Sequence, residues 1–514
     1  LDTERDLQQS IKTIARGAGI TFTGIVLGNV LGTLNQVLLG RFLGVSDYGH
    51  FNLALSIINV AQVLSILGIS GGVSRFIPFH LKKGEPDMVK STIRFSLRFV
   101  FISSVTIGIL LYFLAGPISV KIFHDRSFYP VLRVFMLGLP IVVLASVLIA
   151  VIRAFKAMAH RMFIYDIGMK VVRAAIFVPA IFLGYVFGGA IVAYFGAMLF
   201  TLSASWFVIR KKLFPEYSEY PNVPVAKKLL SFSWPLGLTG ATSLAATRSD
   251  IILLGYFLTS KDIGIFTPAV VIAQMLSYIS RSFELIFLPV VSEFFARGNK
   301  AQLSLIFKSV SKWLFIILLL ALLFIVVFPK ETILLLYGKE YAEGWRALLI
   351  LAIGFSIGTA VSLSGNILVA AGHTKLSLAS EIVGAVGSLS LNFILIPIYG
   401  IVGAAVAAGA SFALRGLAAL IFTYRTEKIH PFSRDFLKAF IAGLISLGII
   451  FGLKTYLTGS VPMLALMIGL GFLLFLIFGG LLLLSRVFDE NDRLVLDAVE
   501  KKTGIKLRFL RRFI

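Results

Sequence analysis

Between residues 17 and 485 the chain is a succession of apolar runs of about twenty residues or more, broken by short polar stretches. A run of that length, wound as a helix, crosses the roughly 30 Å hydrocarbon core of a bilayer. Hydrophobic side chains make up 58% of the chain and charged ones only 14%, with a mean hydropathy of +0.94. A soluble domain carries about 25% charged residues, so a soluble globule is excluded. The runs predict an all-α polytopic membrane protein with about fourteen transmembrane helices, near 17–44, 49–78, 91–115, 129–155, 163–183, 187–209, 229–258, 264–294, 303–328, 345–371, 376–397, 402–424, 436–456 and 461–485. The 46 Gly and 46 Phe suit helices that pack closely in lipid. The absence of Cys rules out disulfides, thiolate metal sites and cysteine nucleophiles, and six scattered His leave little for a metal-dependent hydrolase.

The net charge of +23 suits an anionic leaflet or an anionic substrate. Lys and Arg collect on alternate polar stretches: Lys82, Lys83 and Lys90; Lys156 and Arg161; Arg210 to Lys212 with Lys227 and Lys228; Arg297 and Lys300; Arg425 to Lys438; and both termini. The opposite stretches hold only Lys121, Arg126, Lys261, Lys330, Lys339 and Lys454. By the positive-inside rule both termini are expected in the cytoplasm, and an even span number agrees. The first sixteen residues are polar and carry no apolar run, so no cleavable signal peptide is expected in the chain as given.

Residues 38–51, LLGRFLGVSDYGHF, recur at 253–266 as LLGYFLTSKDIGIF. Gly40, Phe42, Leu43, Asp47, Gly49 and Phe51 return as Gly255, Phe257, Leu258, Asp262, Gly264 and Phe266 at one offset of 215 residues. The expected organisation is therefore an amphipathic N-terminus (1–16), a six-helix bundle (17–211), a linker (212–228), a second homologous bundle (229–425), two appended helices (436–485) and a basic tail (486–514). Six spans per copy give both copies one orientation, and two parallel bundles around a central cleft suit alternating access.

The segment LLGRFLGVSDYGHFNLA, with YGKEYAEGWRALLIL at 337–351, NILVAAGHTK at 366–375 and LNFILIPIYGIVGAAVA at 391–407, resembles the polysaccharide transporter branch of the multidrug/oligosaccharidyl-lipid/polysaccharide exporter superfamily. The resemblance runs over nearly the whole chain and rests on packing and loop signatures rather than chemical ones. It implies a flippase of the Wzx type, which moves polyprenyl-linked oligosaccharide from the cytoplasmic to the outer leaflet for polysaccharide or surface glycan assembly. It also implies the two-bundle fold of that superfamily's transporters.

Ionisable groups at bilayer depth are costly, so each is a functional candidate. Arg248 and Asp250, two residues apart on one helix, point in opposed directions, so one faces the cleft and the other a neighbouring helix. At the same offset their counterparts are neutral, Thr33 and Asn35, which marks the charge as added function. Arg281 and Glu284 share a face: they either neutralise each other, or Arg281 lines a cationic site with Glu284 holding it. Asp166 and Lys170 are expected to pair, which leaves Arg173 without a local partner; Arg94 and Arg98 snorkel toward the near interface. Arg41, Arg173, Arg248 and Arg281 are the expected substrate cations, because guanidinium binds phosphate oxygens in bidentate fashion. Asn35 and Asn59 suit sugar hydroxyls or, equally, bonds from helix to helix. Asp250 and Glu381, a second carboxylate expected to be buried, with Glu284, are the candidates for a coupling ion, either sodium or a proton.

Pro140, Pro179, Pro235, Pro268, Pro289 and Pro397, with Gly-Gly at 71 and 188, are expected to interrupt spans and free carbonyls to line a cavity, or only to kink. The tail KLRFLRRFI reads as a helix on the inner membrane surface. A membrane glycosyltransferase would want an Asp-x-Asp motif, and none is present. The expected protein is a non-enzymatic, monomeric flippase with no cofactor and no nucleic-acid partner, held in the cytoplasmic membrane. A cation-coupled multidrug exporter of the same fold is the alternative.

Overall fold

The computed structural model describes residues 24–488 except 219 and 297; the expected N-terminal amphipathic segment and the basic tail from 489 onward lie outside them. The described chain is helical almost throughout and contains no β-strand. It forms two compact units, one ending at Thr267 and the other beginning at Pro268.

The first unit holds α1 (Gly24–Leu43), α2 (Val45–Ile66), α3 (Ile69–Lys82), α4 (Pro86–Pro117), α5 (Phe128–Leu137), α6 (Leu139–Ala154), α7 (Met158–Arg161), α8 (Met169–Phe182), α9 (Val186–Val208), α10 (Ala226–Phe257) and the start of α11 (Ser260–Ala296). Three π-helical turns, Ile118–Ile122, Met162–Gly168 and Ile209–Leu213, follow α4, α7 and α9. Helix α6 packs against α3, α4 and α9, and α10 lies on α2 and α3. The break between α2 and α3 falls at Leu67 and Gly68, both in left-handed backbone. A Cβ on Gly68 would strike the carbonyl of Ser233 on α10, and Gly71 and Gly72 meet Leu236 and Ser233. The glycine pair thus closes a helix contact and does not line a cavity as expected. Small residues are what let helices approach in lipid, where apolar burial gives no driving force.

The duplicated motif has a structural counterpart. Gly49 lies against the Ser260 carbonyl and the Gly264 nitrogen, while Gly264 lies against the carbonyl of Val45. Ser260 is the residue 215 positions beyond Val45, as Gly264 is beyond Gly49. The two copies therefore cross backbone to backbone through equivalent residues.

The second unit continues with α12 (Lys300–Val327), α13 (Pro329–Leu336), α14 (Trp345–Ala360), α15 (Leu363–Ala370), α16 (Thr374–Glu427), α17 (Arg434–Leu457) and α18 (Met463–Leu484). The 54 residues of α16 would span about 80 Å if straight. Gly400, at φ 58° and ψ −131°, breaks it into two legs. The legs fold back on each other, for Gly384 and Gly387 of one face Arg415 and Leu414 of the other. A core of Ile316, Leu323, Ala442, Leu470 and Phe478 joins α12, α17 and α18. Buried Lys312 fastens that core by donating to the Val487 carbonyl at 3.1 Å, with Asp435 at 3.8 Å.

Ten described helices are long and apolar enough to cross a membrane, and the α5–α6 pair, bent by 45° at Gly138, makes an eleventh. The expected count of fourteen is not reached on that measure for physical reasons. The legs of α16 form one continuous helix by hydrogen bonding, α8 has only 14 residues, and α10 carries Lys227, Lys228, Arg248 and Asp250.

Candidate functional site

The polar interior of the first unit is built on the contact between α1 and the α7–α8 segment. Gly24, Gly28 and Gly32, one turn apart, sit against Met162, the Asp166 carbonyl and Lys170. This small-residue ridge brings α1 close to backbone that is wound as a π-helix. The π winding leaves carbonyls available, and the Lys170 ammonium takes those of Asp166 (2.8 Å) and Tyr165 (3.4 Å). The expected Asp166–Lys170 pair is therefore not formed. The Asp166 carboxylate turns to Arg161 at 3.6 Å, because the extra residue per π turn moves it off the i to i+4 line. Asn35 bonds across the ridge, its amide donating to Leu31 (2.8 Å) and to the Lys170 carbonyl (3.1 Å). Of its two expected roles, the helix-to-helix bond is the one its amide makes.

Arg173 follows on the same side of α8. Its guanidinium lies 5.4 Å from the ring of Phe51 and 5.6 Å from that of Tyr194. Its Nε and Nη2 are buried with no hydrogen-bond acceptor. Phe51 and Tyr48 are fully buried, the Tyr48 hydroxyl donating to Gln36 at 3.2 Å. Tyr194 is also within electrostatic reach of Arg248 on α10. Asp250, 7% exposed, accepts from the backbone N–H of Ile251 at 2.8 Å. Neither Arg173, Arg248 nor Asp250 has an ion-pair partner within 4.0 Å among the described residues. Rings on two sides of a guanidinium stabilise its charge through their negative faces but offer no acceptor in its plane. The arrangement suits a ligand that brings oxygen acceptors.

Other expected residues lie elsewhere. Arg41 is exposed near the end of α1, and Asn59 is half-buried on α2, where neighbouring Gln62 donates to Ser146 of α6 at 2.6 Å. Arg281 and Glu284 belong to the second unit and form no ion pair with each other; exposed Arg281 lies 5.5 Å from the Tyr278 ring. Glu381 is not a buried carboxylate. Its side chain is 43% exposed and receives Arg415 from the other leg of α16 at 3.2 and 3.4 Å.

Sequence reasoning missed Phe51 and Tyr194 as the walls around Arg173, Arg415 as the partner of Glu381, and Arg133, which lies 4.5 and 4.3 Å from the rings of Tyr112 and Tyr129. The signal for Arg133 and Arg415 was in plain view as single charges in VLRVFML and FALRGLA.

A second polar node fastens the two motif copies. Asp125, between α4 and α5, accepts from Ser260 (2.7 Å) and faces His50 Nε2 at 2.8 Å, while Ser127 donates to its other oxygen. Burial alone would raise the Asp125 carboxyl, but the hydrogen bonds from Ser127, His50 and Ser260 and the His50 charge outweigh it. They hold the group well below the usual carboxylate range.

Comparison with known proteins gives these features a setting. The family model described as "Polysaccharide biosynthesis protein" matches residues 14–295. The chain is 23% identical over 460 residues to the probable low-salt glycan biosynthesis flippase Agl15 of Haloferax volcanii, covering 89% of this chain and 90% of that one. Its fold is similar to that of the lipid II flippase MurJ in an inward closed conformation, with a TM-score of 0.72 at 16% identity, over 91% of this chain and 99% of the other. An inward-facing multidrug resistance MATE transporter of the MOP superfamily matches at a TM-score of 0.65 and 14% identity, over 80% and 98%.

Proposed function

Since the chain belongs to the polysaccharide biosynthesis protein family, we propose that it is a flippase that carries a polyprenyl-pyrophosphate-linked oligosaccharide across the cytoplasmic membrane. The observation that carries this reading is Arg173, a buried guanidinium walled by Phe51 and Tyr194 with two N–H groups lacking acceptors. A phosphate oxygen supplies what those donors lack, and a second oxygen can engage the fork at the same time. Arg248 adds a second cation near the same tyrosine. Pyrophosphate and glycan enter from the cytoplasmic leaflet while the polyprenyl tail stays in lipid, and rocking of the repeats presents the head outside. Both termini are cytoplasmic in this reading, the protein acts as a monomer, and no covalent chemistry or cofactor is required.

Coupling to a cation gradient is part of the proposal. Asp250 is the better candidate, being buried without an ion pair, whereas Glu381 would first have to leave Arg415. Among the described residues no three His, Asp or Glu side chains gather around either, so sodium would be held by one carboxylate with hydroxyl and carbonyl oxygens. Asp250→Asn and Glu381→Gln separate the two: transport that remains ion-coupled in both variants removes this part. Asp250 is also what favours the second reading, a cation-coupled drug exporter.

The deciding experiment is flipping in proteoliposomes of a fluorescent polyprenyl-pyrophosphate oligosaccharide. Arg173→Gln is expected to slow flipping by about ten- to a hundredfold, the value of a charge-assisted hydrogen bond. Wild-type protein that moves no such lipid but exports cationic dyes establishes the exporter instead.

A further inference from the structure

Helix α5 presents two faces. Phe128, Leu132 and Phe135 are buried, and the Phe135 ring lies 5.5 Å from that of Phe51 and 5.8 Å from that of Tyr194, the walls around Arg173. Tyr129, Arg133 and Leu137, four residues apart, are turned away from that interior. On their side the end of α4 and the start of α5 enclose a groove of about 410 Å³, lined by Gly116, Pro117, Val120, Lys121, Arg126 and Tyr129. Gly116 faces the Tyr129 ring, 3.6 Å from the position of an added Cβ, so a larger side chain there would fill the groove.

Cations gather at this groove without acids to match. Lys121 and Arg126 are exposed on its rim. The Arg133 guanidinium stands behind Tyr129, 4.3 Å from its ring and 4.5 Å from that of Tyr112 on α4, with its Nε buried and lacking an acceptor. Among the described residues none of the three forms an ion pair, and Asp125, the acid nearest in sequence, is taken by His50, Ser127 and Ser260. From the groove an apolar stripe runs back along α4 through Phe113 and Ile109, 70% and 52% exposed, in step with Gly116 and Val120 at intervals of three or four residues. A groove cationic at one end and continued by exposed apolar side chains is complementary to a lipid with an anionic head.

We propose that this groove is a binding site for an anionic glycerophospholipid of the leaflet at that end of α4. Its phosphodiester lies between Lys121 and Arg126, with the Arg133 charge behind Tyr129, and an acyl chain follows Phe113 and Ile109. Because the groove opens on the exposed side of α5, away from Arg173, its occupant is a lipid of the surrounding bilayer and not the head group carried through the interior. The inference rests on the membrane placement of the chain and not on the flipping reaction.

Native mass spectrometry of the full chain, titrated with phosphatidylglycerol or with phosphatidylcholine of the same chains, tests it. Wild type is expected to retain phosphatidylglycerol selectively, and Lys121→Gln/Arg126→Gln to weaken that retention by about thirtyfold, the value of two cations at a membrane surface. Both positions are exposed, and either change alone is expected to give about fivefold. Gly116→Leu is expected to lose the retention with no change of charge, and Lys82→Gln/Lys83→Gln, exposed at the other end of the unit, to keep it. Equal retention of the two lipids, retention unchanged in the groove variants, or an equal loss in Lys82→Gln/Lys83→Gln overturns the site. Displacement by millimolar inorganic phosphate alone, or preference for polyprenyl phosphate over phosphatidylglycerol, overturns the phospholipid assignment.

Discussion

A guanidinium buried between two rings, with two donors unmatched, costs stability in the resting protein unless function requires it. Arg173→Met is therefore expected to raise the thermal unfolding midpoint in detergent, by an amount equivalent to about 1–3 kcal/mol, while abolishing flipping. A fall in the midpoint would make Arg173 a structural residue. Asp125 behaves oppositely. Its carboxyl is held below its unfolded value, so its contribution is complete above about pH 4 and is lost as pH falls through the lower folded value. Asp125→Asn should remove about 1–3 kcal/mol at pH 7, measured by thermal unfolding, and the difference from wild type should shrink as the pH is lowered below about 4. Sequence alone made Arg173, Arg248 and Asp250 visible, because a charge inside an apolar run needs no structure to be noticed. It could not show that Lys170 would take carbonyls rather than Asp166, since a π turn leaves no mark in residue spacing. Nor could it show that Glu381 had a partner 34 residues away, because only the fold of the α16 hairpin sets that distance.

At the scale of elements, helix ends and crossings are fixed by glycines more than by caps. Gly400 adopts φ 58° and ψ −131°, backbone that a side chain makes strained by about 1–3 kcal/mol. Gly400→Val is expected to lower the thermal midpoint of the protein by a corresponding amount, whereas Gly448→Ala, mid-helix and with nothing within 4 Å of an added Cβ, should not lower it. The runs at 376–397 and 402–424 were legible as separate spans because Pro397 and Gly400 mark a turn between them. Helix α8 and the π turn before it were read as one span, since apolarity reports length and not winding. The repeat was legible as a match in letters, but not that its two copies touch, for contact between distant segments has no local signature.

At the scale of the molecule, the apolar runs were enough to set the class, and the comparisons with known folds agree with that all-helical class. The polarity of insertion expected from loop charge can be measured directly, because the chain contains no cysteine. Single cysteines at Lys121 and Lys211 are expected to react with a membrane-impermeant maleimide from opposite sides of sealed vesicles. Reaction of both from one side would reverse or cancel the assigned topology. The crossing at Val45, Gly49, Ser260 and Gly264 carries a different kind of consequence, one for descent. After a duplication each half is free to drift wherever it is not shared. Asn35 against Asp250 and Thr33 against Arg248 are pairs that have drifted, giving one half charges that the other lacks. Gly49 and Gly264 press on each other's backbone, so neither can gain a side chain while the other stays put. The joint restrains both copies at once, and specialisation of the halves is confined to positions away from it.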